Sequence, residues 1–230
     1  MPLAALTAGL AACPGRANAE DHRDGAPLAA TAPVEAGPTV QSPEVATASD
    51  ASAGLEHRAY RTAVQTGDSM VGGGLCLALG PKYTAEGTRF VRDVWEAASI
   101  IAFDDSDHIP RLIAKYDPDL VLVTLGANDV FALHPEVLGR HIDGVVKKIG
   151  QRDCYWIGPP AWKGDRGLVD VIRAHASPCR FFDSSRLVLE RRADGIHPTD
   201  KAGRVWADAF WAFQAQGPTL TAPPQGTSTR

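Results

Sequence analysis

Thr66-Gly-Asp-Ser-Met70 joins a strand-like stretch of this chain to a helix-like one. Residues 59–66 have the length and β-branched content of a short strand, and the apolar residues 70–79 predict a helix. Ser69 would then lie on a sharp turn, with its backbone N–H at a helix N-terminus, where a developing negative charge is stabilised. Taken alone, Gly-Asp-Ser is better explained as a turn that caps a helix. Whether Ser69 is catalytic therefore depends on the other motifs of the chain.

The composition is that of an ordinary soluble globular protein. The chain has 230 residues, of which 44% are hydrophobic and 22% charged, and its formal net charge is -4. This length predicts a single domain with flanking tails. The charge gives no electrostatic support for a nucleic-acid partner, and we expect none.

The N-terminal segment 1–13 predicts export. It is almost wholly small and apolar, and Leu10-Ala-Ala-Cys13 resembles the lipobox of a bacterial lipoprotein. The resemblance implies that Cys13 carries a lipid that anchors an extracytoplasmic protein to a membrane. The segment departs from a signal peptide because no Lys or Arg precedes its short apolar run. The alternative interpretation is an Ala-rich disordered tail.

Residues 14–58 and 215–230 are predicted to be disordered, because they contain too few large apolar residues to offset the entropy of ordering. The folded domain is therefore predicted to span residues 59–214. Within it, strand-like and helix-like stretches alternate. The predicted strands are 59–66, 88–95, 120–125, 154–157 and 180–183, and the predicted helices are 70–79, 106–116, 134–150, 166–176 and 199–213.

This alternation predicts a three-layer α/β/α sandwich around a five-stranded, mostly parallel sheet. In such sheets the ligand lies beyond the carboxyl ends of the strands. Three marked sequences follow predicted strands and should meet there. They are Gly67-Asp-Ser69, Gly126-Ala-Asn-Asp129 and Asp194-Gly-Ile-His197.

Together these sequences supply the groups that acyl transfer requires. Ser69 is the candidate nucleophile, His197 its general base, and Asp194 the carboxylate that orients the imidazole. The Ser69 N–H and the Asn128 amide are candidate donors to the oxyanion. Each motif alone has a simpler explanation, as a turn, a helix cap or a surface histidine, and only their combination favours catalysis.

With these motifs the chain resembles the SGNH (GDSL-type) hydrolases. The resemblance rests on Gly67-Asp-Ser-Met70, Gly126-Ala-Asn-Asp129 and Asp194-Gly-Ile-His197, and spans nearly the whole predicted domain. It implies a flavodoxin-like fold, a Ser69-His197-Asp194 triad, an oxyanion donor at Asn128, and no required cofactor or metal. Members of the family hydrolyse or transfer acyl esters on lipids, polysaccharides and small molecules.

One family motif is altered. Where the family places a glycine whose N–H completes the oxyanion hole, residues 96–104 contain none, and the spacing points to Ser99. The Ser99 N–H can serve if its backbone is not in a conformation restricted to glycine. A serine α/β-hydrolase is less well supported, because its nucleophile elbow needs glycine where Val71 stands.

Other residues predict the surroundings of the site. The histidines show no metal-binding spacing, and we expect no metal site. Trp162, in the loop 158–164, is a candidate stacking surface for a sugar ring or an acyl group, or else packs under its own loop. In the flavodoxin-like order Cys154 lies at the start of one strand and Cys179 just before its parallel neighbour, which predicts a disulfide at the amino-terminal edge of the sheet.

The sequence thus predicts an exported serine esterase that acts on short-chain, O-acetyl-type esters of a small molecule or carbohydrate. Two alternatives remain at this stage: an O-acyltransferase that uses the same triad, and a carbohydrate-binding relative without turnover.

Overall fold

The computed structural model describes residues 58–72, 74–160 and 162–217. Within these ranges the strands are β1 (Thr62–Gly67), β2 (Arg89–Arg92), β3 (Leu120–Thr124), β4 (Asp153–Ile157) and β5 (Arg180–Phe182). They form one sheet in the order β2-β1-β3-β4-β5, and every pairing is parallel. The predicted five-stranded, flavodoxin-like sheet is confirmed.

Helices cover both faces of the sheet and complete the predicted three-layer sandwich. The helices are α1 (Leu75–Ala85), α2 (Ile100–Asp105), α3 (His108–Tyr116), α4 (Gly139–Ile149), α5 (Leu168–His175) and α6 (Asp200–Ala215). Residues of α1 and α6 pack in one core layer, and residues of α2 to α5 pack in the other. Among the described residues, none of these helices has the length and apolar character needed to cross a bilayer.

The central strand β3 shows why the two layers form. All five of its residues are buried. Leu120 and Leu122 point into the layer of α1 and α6, whereas Val121 and Val123 point into the opposite layer. A continuous apolar run, rather than an alternating one, is what a parallel strand with both faces covered requires.

Several predicted boundaries are wrong for local reasons. The predicted helix 70–79 begins only at Leu75, because Ser69–Gly72 forms a 3₁₀ turn and Gly74 adopts a left-handed φ of 86°. The region 96–104 was not predicted to be helical, yet α2 lies there with Ser99 as its N-cap. The helix predicted from residue 134 begins at Gly139, after a 3₁₀ turn.

The predictions for both chain ends fall largely outside the described residues. These are the lipobox-like segment 1–13 with Cys13, nearly all of the tether 14–58, and residues 218–230 of the tail. They remain predictions.

A disulfide joins Cys154 in β4 to Cys179, the residue before β5. The two Cα atoms are 4.6 Å apart, since β4 and β5 are neighbours in the sheet. Both cysteines lie toward the amino-terminal ends of their strands, at the edge opposite the strand ends that carry the three motifs. Cys76 is buried near the start of α1.

Replacing both Cys154 and Cys179 by serine should lower the free energy of unfolding by about 3 kcal/mol, because the bridge closes a 25-residue loop. Urea unfolding of the two proteins under non-reducing conditions measures this difference. Catalytic constants should change little, since the bridge lies at the far edge of the sheet. Equal unfolding midpoints would contradict the prediction.

Candidate active site

Ser69 lies where β1 ends and the 3₁₀ turn Ser69–Gly72 begins. The turn passes so close to β3 that a Cβ on Gly67 would lie 1.8 Å from the Thr124 carbonyl oxygen. Only glycine fits there, because the three nearest atoms all belong to the Thr124 backbone, which cannot move aside as a side chain can. Gly67 therefore allows the close approach to β3 that brings Ser69 to the carboxyl-terminal edge of the sheet.

His197 reaches Ser69 from a hairpin that spans residues 190–199. This hairpin is closed by hydrogen bonds from the Arg192 N–H to the His197 carbonyl (2.8 Å) and from the Thr199 N–H to the Glu190 carbonyl (2.9 Å). The His197 Nε2 atom lies 2.9 Å from the Ser69 Oγ atom. Thr199 then caps α6, its hydroxyl accepting a hydrogen bond from the Ala202 N–H.

Asp194 orients His197 from within the same hairpin. Its Oδ2 atom lies 2.8 Å from His197 Nδ1. Its Oδ1 atom accepts hydrogen bonds from the backbone N–H groups of Ile196 and His197, at 2.8 and 2.9 Å. Both imidazole contacts are satisfied when Nδ1 donates to Asp194 and Nε2 accepts from Ser69, the tautomer a general base requires.

The carboxyl group of Asp194 is ionised at neutral pH. The hydrogen bond from the His197 side chain, followed by those from the Ile196 and His197 backbones, lowers its pKa to about 2. Its side chain is 44% exposed, and that of His197 is 29% exposed. The base and its carboxylate are therefore open to solvent, and Ser69 is partly buried beside them.

Asn128 lies in the 3₁₀ turn Ala127–Asp129 that follows β3. Its Nδ2 atom donates a hydrogen bond of 2.9 Å to the Ala98 carbonyl, which fixes the orientation of the amide. The side-chain amide has two N–H groups, and this bond uses one of them. The contact also joins the loop of Asn128 to the loop of Ser99, the residue after Ala98.

Ser99 has an ordinary extended backbone, with a φ of -98° and a ψ of 165°. Its position therefore does not require glycine, although the related motif carries one there. Ser99 also caps α2, its Oγ accepting a hydrogen bond of 3.1 Å from the Ala102 N–H. Within the described residues, neither the Ser69 N–H nor the Ser99 N–H donates to another backbone group of the protein. Both groups are thus free to donate to an anion.

Two buried aspartates hold these turns together, and the sequence motifs contain them without revealing their role. Asp68 Oδ1 accepts from the Met70 N–H at 2.9 Å, and Oδ2 accepts from the N–H groups of Gly126 (3.1 Å) and Ala127 (3.0 Å). Asp129 Oδ2 accepts from the Ile100 N–H at 3.1 Å. Asp68 thereby joins the turn of Ser69 to that of Asn128, and Asp129 joins the latter to α2.

Burial raises the pKa of the Asp68 carboxyl to about 7, although its three backbone hydrogen bonds act in the opposite direction. Burial also raises the pKa of Asp129. Asp68 has none of its surface exposed. An amide has only one accepting oxygen, whereas the carboxylate has two. If an amide replaces this carboxylate, its NH₂ group must therefore face at least one of the three backbone N–H donors.

Replacing Asp68 by asparagine should lower both the stability and kcat. One oxygen can retain the bonds from Gly126 and Ala127, but the new amide nitrogen then faces the Met70 N–H. An unsatisfied buried donor costs about 1–3 kcal/mol, measurable by urea unfolding at pH 8. We expect kcat to fall by roughly tenfold or more, since small displacements at a reacting centre are costly. Unchanged stability and unchanged kcat would contradict this interpretation.

A second polar cluster lies directly behind the Ser69 turn. Asp93 Oδ2 accepts a hydrogen bond from the Thr66 hydroxyl at 2.7 Å and contacts His108 Nε2 at 2.6 Å. Burial opposes ionisation of Asp93, but the bonds to His108 and Thr66 lower its pKa. The Thr66 hydroxyl is thus directed toward Asp93, so that this cluster supports the turn and does not present a second nucleophile.

Trp162 lies in the loop between β4 and α5, on the side of the site formed by the turn of Asn128. In this loop Pro159 lies beside Gly126, and the Pro160 carbonyl accepts a hydrogen bond of 3.5 Å from Arg191, which also donates to the Ile196 carbonyl. The Trp162 ring packs edge-to-face against Phe131, with ring centroids 5.1 Å apart. The loop therefore contacts both the Asn128 turn and the His197 hairpin.

Among the residues that the structure describes, one group of possible metal ligands lies away from Ser69. Ligand atoms of Asp104, Asp105 and His141 lie within 4.8 Å of one another. Asp104 already contacts His141 Nδ1 at 2.8 Å and the Lys148 ammonium group at 3.3 Å. This carboxylate is therefore balanced by groups of the protein itself.

Comparisons with known proteins give one relative in sequence and several in structure. No protein-family model matches the chain. Protein BcsX of Komagataeibacter xylinus is 30% identical over 138 aligned residues, which cover 50% of this chain and 52% of that protein. The chain thus spans about half the length of this curated relative.

Among solved structures, TesA superposes with a TM-score of 0.55 at 21% identity, covering 66% of this chain and 96% of TesA. The acetyl xylan esterase AlAXEase gives a TM-score of 0.54 at 18% identity, covering 66% and 98%. A member of the lipolytic G-D-S-L family from Veillonella parvula gives a TM-score of 0.50 at 13% identity, covering 66% and 96%. The sheet order and these superpositions together show that the chain has the fold of the SGNH (GDSL-type) hydrolases.

Proposed function

We propose that this chain is a serine esterase of the SGNH type. The observation that carries the proposal is the hydrogen-bonded series from Ser69 Oγ through His197 to Asp194, with distances of 2.9 and 2.8 Å. A nucleophile in contact with a base that is itself oriented by a third group is the arrangement that acyl transfer requires. We assign the catalytic roles to these three residues.

In the acylation step, Ser69 Oγ attacks the carbonyl carbon of the ester while His197 Nε2 removes its proton. The carbonyl oxygen becomes an oxyanion, for which we assign the N–H groups of Ser69, Ser99 and the Asn128 amide as donors. When the intermediate collapses, the bond to the leaving alkoxide breaks and His197 gives it the proton. The alcohol departs and the acyl group remains on Ser69.

In the deacylation step, water attacks the acyl group as His197 removes one of its protons. The second tetrahedral intermediate collapses, the proton returns to Ser69 Oγ, and the carboxylic acid departs. Asp194 stays ionised throughout and stabilises the imidazolium that forms in each step. The exposure of His197 and Asp194 lets water reach the acyl group, as hydrolysis requires.

We propose short-chain O-acyl esters, of the O-acetyl type, on a carbohydrate or small molecule as the substrates. An open site admits an ester that projects from a large molecule. The aromatic rings of Trp162 and Phe131 beside the Asn128 turn offer a stacking surface for a sugar ring. The acetyl xylan esterase among the similar structures gives modest support to the same class.

We also propose that the protein works outside the cytoplasm, with membrane anchoring through lipidated Cys13. The Cys154–Cys179 disulfide supports this compartment, because disulfides persist in oxidising environments. Nothing in the charge of the chain calls for a nucleic-acid partner.

Release of p-nitrophenol from p-nitrophenyl acetate, with and without an oligosaccharide acceptor, tests the proposal. Turnover that does not depend on the acceptor, with a covalent phosphonate adduct mapped to Ser69, is the expected result. Stimulation by the acceptor, with acylated oligosaccharide as product, would instead identify an acyltransferase. Absence of both turnover and a burst would identify a binding protein and end the esterase proposal.

A further inference from the structure

A cavity of about 520 Å³ lies at the amino-terminal edge of the sheet, on the opposite side from Ser69. Its wall includes the first residues of β4 and β5, from Asp153 to Tyr155 and Arg180, and both ends of the described domain at Arg58 and Gly217. A volume of this size falls in the range of small-molecule sites. None of the triad or oxyanion residues contributes to it.

The polar groups of the wall are mostly hydrogen-bond donors. Three guanidinium groups, of Arg58, Arg152 and Arg180, line the cavity together with the single carboxylate of Asp153. The Asp153 carboxylate is already ion-paired, because its Oδ2 atom accepts hydrogen bonds from Arg58 at 2.5 Å and from the Tyr60 hydroxyl at 3.2 Å. Arg152 is paired as well, with Asp117 at 3.4 Å, and it also donates to the Pro118 and Ile149 carbonyls. The excess positive charge of the wall is therefore that of one guanidinium group.

Arg180 carries this excess. Its Nη1 atom donates to the Tyr155 hydroxyl at 3.0 Å, and its guanidinium lies 5.2 and 4.7 Å from the ring centroids of Tyr155 and Phe213. Across the described ranges, no carboxylate forms an ion pair with Arg180. Because Tyr155 accepts from Arg180, its own O–H remains free to donate. A guanidinium held between rings keeps its outer N–H groups in a fixed plane, which suits a carboxylate or phosphate.

Gln214 adds a donor that the protein does not satisfy. Its Oε1 atom accepts from the Tyr83 hydroxyl at 2.7 Å, but its Nε2 atom is buried with no acceptor in the described part of the chain. The residue is only 5% exposed and belongs to the cavity wall. Buried polar atoms without partners are rare, and an oxygen of a bound molecule would satisfy this one.

We propose that this cavity binds a small organic anion through a carboxylate or phosphoryl group. Arg180 supplies the charged donor, and the Gln214 amide supplies a second, neutral one. This second site is independent of the chemistry at Ser69 and does not rest on the esterase assignment.

Isothermal titration calorimetry of the oxidised full chain tests the proposal, with inorganic phosphate and sodium glucuronate as separate probes. Sodium chloride keeps the ionic strength constant, because arginine sites are screened by salt. We expect saturable binding of at least one probe, and the probe that binds identifies the preferred group. Gln214→Glu should weaken this binding by about tenfold or more, since a carboxylate replaces the free donor while the acceptor for Tyr83 remains.

Arg180→Gln should weaken binding by a similar factor, whereas Arg204→Gln, on the exposed face of α6 away from the cavity, should leave it unchanged. Near-ultraviolet circular dichroism establishes that each variant is folded, and Gln214→Glu serves as the test if Arg180→Gln loses its packing. Failure of both probes to bind the wild-type chain would overturn the proposal. Equal binding by the wild type and folded Gln214→Glu would overturn it too, because the anion would then lie elsewhere.

Discussion

Replacing Ser69 by alanine is expected to lower kcat for p-nitrophenyl acetate by about 10⁴-fold or more, leaving a level set by binding and the oxyanion donors alone. His197→Ala should have an effect of similar size. The double variant should be little worse than either single one, because nucleophile and base act as one unit whose contact is the 2.9 Å hydrogen bond between them. Steady-state rates and active-site titration with a phosphonate measure all three.

The matched control is Ser185→Ala, a partly exposed serine after β5 that hydrogen-bonds to Asp183 and takes no part in the site. It should retain wild-type kcat. Wild-type activity in Ser69→Ala would remove the nucleophile assignment. Multiplicative losses in the double variant would mean that Ser69 and His197 act separately.

Replacing Asn128 by alanine is expected to lower kcat by roughly 10²–10³-fold, with a smaller change in KM. The amide acts mainly on the oxyanion, which exists only in the transition state and the tetrahedral intermediates, so its loss affects the rate more than binding. The change also removes the hydrogen bond to the Ala98 carbonyl, so part of the effect is loss of order in the neighbouring loop.

Leu133→Ala, at an exposed residue of the same loop, is the matched control. It should leave kcat within about twofold of the wild type, as most surface substitutions do. Asn128→Asp keeps the shape of the side chain but removes its donors, and should be at least as defective as Asn128→Ala. An increase in KM alone would make Asn128 a substrate-positioning residue.

The sequence predicts the sheet and the places where the motifs lie, because both depend on local patterns. The continuous apolar run 120–125 indicates a strand buried on both faces, and the Gly-Asp-Ser and Asp-Gly-Ile-His sequences follow strands. In a parallel sheet the ends of these strands meet at one edge. The contact between Ser69 and His197, 128 residues apart in the chain, follows from that topology.

The parts that the sequence does not predict depend on contacts between distant segments. Asp68 reads as an ordinary turn residue, and only the approach of the turn after β3 shows that its carboxylate receives N–H groups from Gly126 and Ala127. The short helix α2 has no amphipathic period long enough to detect. The cavity near Arg180 joins residues from both ends of the domain, so no local pattern reveals it.

The two halves of the site differ in how well they should tolerate substitution, because two buried aspartates fix only one of them. Asp68 and Asp129 bind the nucleophile and the Asn128 turn to the core, where a substitution disturbs several buried N–H groups at once. The base and its carboxylate lie instead on a surface hairpin, held largely by its own hydrogen bonds. For protein engineering, the hairpin 190–199 and the loop of Trp162 are therefore where substitutions can alter the substrate range. The turns of Ser69 and Asn128, with their two buried aspartates, must be kept unchanged.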